Sequence, residues 1–288
     1  SATASAVASS GQPLQVSWRV ANQGIGITNS SQWRDYVYLA TDPAGSDIVA
    51  TYGPFEHMGA LAVGGSYERS ATVLLPNGIN GTYYALVRTG LGSSAPYEFL
   101  YGENNRAVSG PVAVALTPPP DLLVSQVTAP LAVLEASRLD ISWTVANNGT
   151  GDAAGQWTDH VVLRPVGDPN AASLDLGSYV HDQPLQAGKF YTRAEQVSLP
   201  IHFQGVYQVV VTTNSTNSLY EYGATGNNTA ASGMLTVSLA PRPDLQVSQM
   251  IAPGHVPAGG TATVQFTIIN QGTAPTNAPH WKDMIYLS

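Results

Sequence analysis

The feature that most constrains this chain is that it repeats itself over the length of whole domains. "LQVSWRVANQG" from Leu14 returns as "LDISWTVANNG" from Leu139 and "ATVQFTIINQG" from Ala262. "QWRDYVYL" from Gln32 returns as "QWTDHVVL" from Gln156 and "HWKDMIYL" from His280. "LAVGGSYERSATVLLP" from Leu61 returns as "LQAGKFYTRAEQVSLP" from Leu185, so the offset holds at 123 to 125 residues along the chain. Solenoid repeats are far shorter, and a period of this length sets complete domains in tandem.

Within each repeat the hydrophobic period is two. Leu14, Val16, Trp18 and Val20 alternate with Gln15, Ser17 and Arg19, and Leu139, Ile141, Trp143 and Val145 do the same, the signature of half-buried strands. Seven such segments are predicted in the second repeat, near residues 121–127, 138–146, 157–164, 174–181, 189–199, 205–213 and 232–240, punctuated by Gly, Pro and Asn. The fold class is therefore all-β: tandem immunoglobulin- or fibronectin-like sandwiches. "TPPPD" (Thr117 to Asp121) and "APRPD" (Ala240 to Asp244) mark the joints, where clustered prolines favour a short semi-rigid spacer. The expected division is 1–118, a sandwich whose first strand is incomplete; 119–241, a complete one; and 242–288, the 47-residue start of a third that cannot close its own core.

Trp18 and Trp143 are read as core residues, each worth about 3 kcal/mol when buried. Tyr83 and Tyr207 follow Gly81 and Gly205 at the corner-tyrosine position of such sandwiches. Two residues on, where antibody domains carry a cysteine, stand Ala85 and Val209, and the chain has no Cys at all. The sandwich must be held without a disulfide, and thiolate metal sites and Cys nucleophiles are excluded. Eleven Lys and Arg against nineteen Asp and Glu leave a net charge of −8 with no basic run, which excludes a nucleic-acid partner. No apolar run approaches a membrane span, so no membrane insertion is expected in this segment, and the opening "SATASAVASSGQ" carries no intact targeting segment and reads as the start of a fragment.

The ordered series "SWTVANNGTGDAAGQWTDHVVL" from Ser142, a Leu-x-x-Gly ahead of Tyr191, "SLP" at Ser198, "GVYQVVVTT" at Gly205 and "LYEYGATGNN" at Leu219 resembles CARDB, the bacterial cell-adhesion-related domain. The likeness spans repeats one and two and the surviving part of repeat three. It implies β-sandwich modules, often in tandem within large secreted or cell-surface proteins. On that basis the expected role is a non-catalytic extracellular structural or adhesive module, forming a stiff stalk or filament of a bacterial adhesin. The expected partners are neighbouring repeats or identical chains, and cell-surface or matrix polysaccharide or protein. Two alternatives stay open: a self-assembling filament subunit completed by strand exchange between neighbours, and a polysaccharide-binding accessory region of a secreted hydrolase. Repeat two departs from the family pattern in "LRPVGDP", where repeat one keeps "YLATD", so a site needing Asp42 is absent from repeat two.

Polar residues recur at positions that such a topology gathers at one pole: Asn22, Asp35, Glu98, Asn104 and Asn105 in repeat one, and Asn147, Asp159, Glu221, Asn227 and Asn228 in repeat two. Two carboxylates with amide oxygens fit a Ca²⁺ cage, with Asp35, Glu98, Asn104, Asp159, Glu221 and Asn227 as the metal-site candidates. The competing and preferred reading is structural pinning, in which a buried carboxylate accepts internal hydrogen bonds. Tyr36 and Tyr38 face away from Trp33 and Asp35 and could form a sugar platform in repeat one alone. His57 and His181 recur without metal spacing, no Ser-containing nucleophile elbow is present, and no catalytic residue is assigned. Gly24 in "GIG" is expected to adopt positive φ.

Overall fold

The computed structural model describes residues 1–98, 101–167 and 171–287; Asp168 and Pro169, which end the divergent "LRPVGDP" stretch, lie outside them. The first repeat contains β1 (Ala2–Ala4), β2 (Val7–Ser9), β3 (Pro13–Ala21), β4 (Gln32–Ala40), β5 (Ile48–Met58), β6 (Ser66–Leu74), β7 (Gly81–Leu91) and β8 (Arg106–Ala115). They form one sheet in the order β1-β3-β6 and a second in the order β2-β8-β7-β4-β5. The second repeat contains β9 (Leu122–Thr128), β10 (Ala132–Leu134), β11 (Arg138–Asn147), β12 (Trp157–Pro165), β13 (Leu174–His181), β14 (Phe190–Ser198), β15 (Gly205–Thr212), β16 (Thr229–Ala231) and β17 (Leu235–Ser238). Its sheets run β9-β11-β14 and β10-β17-β15-β12-β13, with β16 on β15. In the third repeat β18 (Leu245–Ile251) and β19 (Gln265–Asn270) pair as an antiparallel two-stranded sheet. Among the described residues, every strand pairing stays within 2–115, 122–238 or 245–270.

The period of two becomes burial directly. Along β11, residues at alternate positions are buried, and Trp143, Trp157, Leu163, Val209 and Leu235 from both sheets meet at 1% exposure or less. The corner tyrosine is present: the Tyr207 hydroxyl donates to the Gln204 carbonyl at 3.1 Å. What the period could not show is that the first strand is two. β9 pairs antiparallel with β11, the chain then crosses the sandwich at Ala129 to Leu131, and β10 pairs parallel with β17 in the other sheet. Pro130, with no N–H to give a ladder, sits at the crossing. In repeat one β1 and β2 divide the same way, β2 running parallel to β8.

The prolines at the first joint are not a free spacer. An added Cβ at Gly151 would stand 1.9 Å from the Pro118 carbonyl oxygen, and one at Gly149 would stand 2.5 Å from both the Pro119 oxygen and the Asp121 nitrogen. The linker is thus pressed onto the turn after β11 and continues straight into β9. This corrects the expectation for the equivalent Gly24, which does not have positive φ. Glycine is needed at this turn for close approach of another backbone segment, not for a left-handed conformation.

Gly151→Val is expected to expel Pro118–Pro120 and dislodge Leu122, which is fully buried. Urea unfolding should show a loss of about 2–5 kcal/mol in repeat two. Gly26→Val at the matching turn of repeat one, where nothing lies within 4 Å of an added Cβ, should be close to neutral.

Candidate functional site

The residues singled out by their recurrence fall into two hydrogen-bonded sets. The first lies inside each sandwich. Asp159 on β12 is 1% exposed, and its Oδ2 accepts the Trp143 indole N–H at 2.7 Å and the Tyr191 hydroxyl at 2.7 Å. Trp143 stands on β11 and Tyr191 on β14, both in the opposite sheet, so the carboxylate ties the two sheets across the core. Repeat one repeats the arrangement. Asp35 accepts from Trp18 at 2.8 Å, from Tyr67 at 2.8 and 2.9 Å, and from Thr89 at 2.6 Å. Burial pushes the Tyr67 and Tyr191 hydroxyls well above their ordinary pKa, and the neighbouring aspartate charge adds to the effect, so both remain protonated donors.

The recurrent histidines cover these ties. His181 is stacked on Tyr191 at 3.9 Å between centroids and tilted against Trp157 at 4.5 Å, and His57 is stacked on Tyr67 at 4.0 Å and tilted against Trp33 at 4.1 Å, so that each His, Tyr and Trp form one three-ring cluster. Reading each histidine as solitary missed this ring cluster; the signal was that His and Tyr recur together at the same offset. Burial lowers the pKa of His181, and the Asp159 charge only partly opposes it.

The second set holds the incoming linker. Glu221, 2% exposed, accepts the Leu122 backbone N–H on Oε2 at 2.6 Å, and on Oε1 the side-chain amides of Asn214 at 2.6 Å and Asn228 at 2.7 Å. Asn227 donates to Asp121 at 2.8 Å. Asn147 accepts from the Asp121 and Gly149 nitrogens, both at 3.0 Å, and donates to the Gly151 and Leu185 carbonyls. In repeat one, Glu98, Asn104 and Asn105 line an open cleft instead.

The candidates predicted to share a Ca²⁺ cage are therefore divided. Asp35 and Asp159 belong to the core ties; Glu221 and Asn227 grip the linker; Glu98 and Asn104 face the cleft. Among the described residues no group of three or more His, Asp or Glu side chains is arranged to hold a metal. Asp159 Oδ2 and both oxygens of Glu221 carry the donors of structural pinning, and an oxygen so engaged offers a cation little, while Asp159 Oδ1 is buried with no hydrogen-bond partner. Tyr36 and Tyr38 lie side by side on the face of β4 away from the core, with centroids 6.3 Å apart and planes inclined at 27°. In repeat two the matching residues are His160 and Val162, which form no aromatic pair.

Asp159→Ala should destabilise repeat two by about 3 kcal/mol in denaturant unfolding, because two buried donors lose their acceptor. A chelator should leave the melting temperature unchanged. His181 supplies a pH dependence whose sign follows from its depressed pKa. The unfolded chain binds its proton near 6.5 while the folded chain resists it, so stability is complete above that value and declines as pH falls through the folded pKa. His181→Phe should flatten that decline in melting curves taken from neutral to acid pH.

Residues 119–232 match the CARDB family model. A search of curated proteins gives no match. Among solved structures, the CARDB domain of a Pyrococcus furiosus protein, crystallised in complex with di-metal ions, is 17% identical with a TM-score of 0.33, covering 42% of this chain and 90% of that one. A Listeria innocua β-glucosidase is 18% identical with a TM-score of 0.29, over 42% of this chain and 16% of the enzyme. β-Glucosidase 3B of Thermotoga neapolitana is 13% identical with a TM-score of 0.29, over 41% and 16%. With the family match at residues 119–232 and the sandwich described above, the second repeat of this chain is a CARDB domain, an adhesion-related β-sandwich module.

Proposed function

We propose that the chain is a non-catalytic extracellular segment of a bacterial surface adhesin, in which tandem sandwiches act as a stiff stalk that carries adhesive parts away from the cell. The observation that carries this reading is the stapling of the joints. At the second joint, Glu135, whose side chain is 0% exposed, accepts from the Ala240 nitrogen at 3.1 Å and from Arg242 Nη2 at 2.7 Å. It also accepts from the backbone nitrogens of His202 and Phe203. Burial alone would raise the Glu135 pKa; the backbone donors and the Arg242 charge outweigh it and hold the carboxyl below its ordinary value, keeping it ionised for the arginine. Arg242 in turn accepts on its carbonyl from Thr273 of repeat three at 2.9 Å. One residue thus spans the end of one module and the first turn of the next.

At the first joint, Thr117 donates through both its nitrogen and its hydroxyl to Ser10 of repeat one, while the Pro119 carbonyl accepts from Thr150 and Gly151 of repeat two. The rings of Tyr220 and Tyr222 also close over Gly78 of repeat one, where an added Cβ would fall 2.2 Å from the Tyr220 hydroxyl. A spacer bonded at both ends transmits orientation, which is what a stalk requires and an enzyme linker does not. Support for a non-catalytic role comes from the buried Glu221 of repeat two, both of whose carboxylate oxygens are taken up by internal donors.

Because the chain has no Cys, dyes can be attached at Glu68→Cys and Ser198→Cys alone. Single-molecule energy transfer between them is expected to give one narrow distance distribution across the first joint, broadened by Gly151→Val. A broad distribution in the otherwise unaltered protein would refute the stiff-stalk reading.

A further inference from the structure

The outward face of the larger sheet of repeat one carries a row of side chains that the fold itself does not require. Tyr36 on β4 lies directly opposite Arg88 on β7, and Arg88 lies directly opposite Arg106 on β8. Like charges facing one another across a sheet repel. Among the described residues neither arginine forms an ion pair, and the Arg88 side chain makes no hydrogen bond. In repeat two the same register holds His160, Thr212 and Thr229. There the two threonine hydroxyls share a hydrogen bond at 2.9 Å, and His160 Nε2 lies 3.3 Å from Asp175. One repeat satisfies this row from within, and the other sets two cations side by side with no carboxylate paired to them.

The acids on β5 and in the turn before it are already engaged. Glu56 takes Arg34 at 3.2 Å, Asp42 accepts the Ser46 and Asp47 backbone N–H groups of its own turn, and Asp47 accepts the Thr41 hydroxyl. Arg106 Nη2 donates to the Pro43 carbonyl at 2.6 Å, and an added Cβ at Gly45 would fall 2.5 Å from the Leu86 side chain. The turn between β4 and β5 therefore lies on this face, forms one wall of it, and fixes the Arg106 guanidinium while leaving its other N–H groups to a ligand. In repeat two, where the linker and β9 are in place, none of His160, Thr212 and Thr229 is buried. Exposure of this face is thus a property of the sheet and not of the joint.

Beside the arginines stand the half-buried Tyr36 and Tyr38, their centroids 6.3 Å apart and their planes inclined at 27°. Two rings side by side lay out a flat apolar strip with hydroxyls at its margin. A pyranose ring can set its C–H groups on such a strip, and a carboxylate carried on that ring matches the planar fork of a guanidinium. β4 is flanked on both sides by β5 and β7, so no open backbone edge is there for a peptide strand to join. The chemistry of the face is that of a sugar that is also an acid.

We propose that this face of repeat one binds an acidic polysaccharide, a polymer of hexuronic acid units. Tyr36 and Tyr38 stack on the sugar rings, and Arg88 and Arg106 together take a ring carboxylate, whose charge relieves the repulsion between them. Repeat two, with His160, Val162, Thr212 and Thr229 at the matching positions, has neither the strip nor the cations and does not bind. The site gives the chain a ligand without resting on the stalk reading, and the two fail separately: the dye pair reports the joint, and titration with polymer reports the sheet face.

The test is isothermal titration of the full chain with polygalacturonate, for which a Kd of ~100 µM is expected, weakening about tenfold between ~0.01 M and ~0.1 M salt as the charges are screened. Two double variants borrow residues with which repeat two already folds: Arg88→Thr with Arg106→Thr, and Tyr36→His with Tyr38→Val. Each should weaken binding at least about tenfold, and the threonine variant should melt no lower than the wild type, because a like-charge pair has been removed. Neutral pullulan, polyglutamate and a thymidine oligonucleotide should each bind at least about tenfold more weakly than polygalacturonate. No binding of polygalacturonate, undiminished binding by either variant, or equal binding of pullulan, polyglutamate or the oligonucleotide would overturn the proposal.

Discussion

The structure depends on the one aspartate of each sandwich that is buried between its two sheets, Asp35 or Asp159. Asp159 projects from β12 into a core of Trp, Val and Leu, where an unpaired carboxylate would be untenable. It is tolerable only while Trp143 and Tyr191, both from the facing sheet, point their N–H and O–H at it. The two sheets are therefore held in one relative position, by the group whose cost of desolvation is greatest if they move. A slip of one residue along β12 would turn Asp159 outward and drive Thr158 or His160 into the core, so the same charge also fixes register. Antibody domains tie their sheets with a disulfide; here Val209 occupies the position of one of its cysteines, and the tie is a carboxylate between an indole and a phenol.

Much of this was legible beforehand, and the reason is periodicity. Alternation located β11, β12, β13 and β15 to within a residue or so, because each has one wet face and one dry face. It could not separate β9 from β10, since a strand that changes sheets keeps its alternation while changing partners. Recurrence of Asp and Glu marked the right residues, but recurrence reports that a position is constrained and not by what. Asp35 and Glu98 looked alike in the sequence and belong to different sets, one reaching across the core and one facing a cleft. The cluster of His181, Trp157 and Tyr191 was hidden because β12, β13 and β14 contribute one ring each, and only the folded chain brings them together.

The linker is better regarded as the first element of the sandwich it precedes than as a bridge between two. Asn147, Gly149, Gly151 and Glu221 are spaced along more than seventy residues of sequence, and their common task is to receive Pro118 through Leu122. The same turn appears in all three repeats with Asn and Gly retained, and in repeats two and three it is occupied by an incoming Pro-Asp-Leu. Sequence alone marked the prolines as spacers; the glycines that accommodate them lie beyond the reach of any local rule.

The parallel pairing of β10 with β17 has a mechanical consequence. These strands lie near the entrance and exit of the second sandwich, and three residue pairs hold them side by side, Ala132 to Thr236, Val133 to Val237 and Leu134 to Ser238. A pull on the two ends of the module draws parallel strands past one another along their length. Their cross-links are then loaded in shear and must yield together, whereas an antiparallel hairpin pulled from its open end unzips one link at a time. Tension that enters through β9 passes next to this parallel pairing, and the force needed to separate it is set by those few pairs more than by the module's overall free energy of folding.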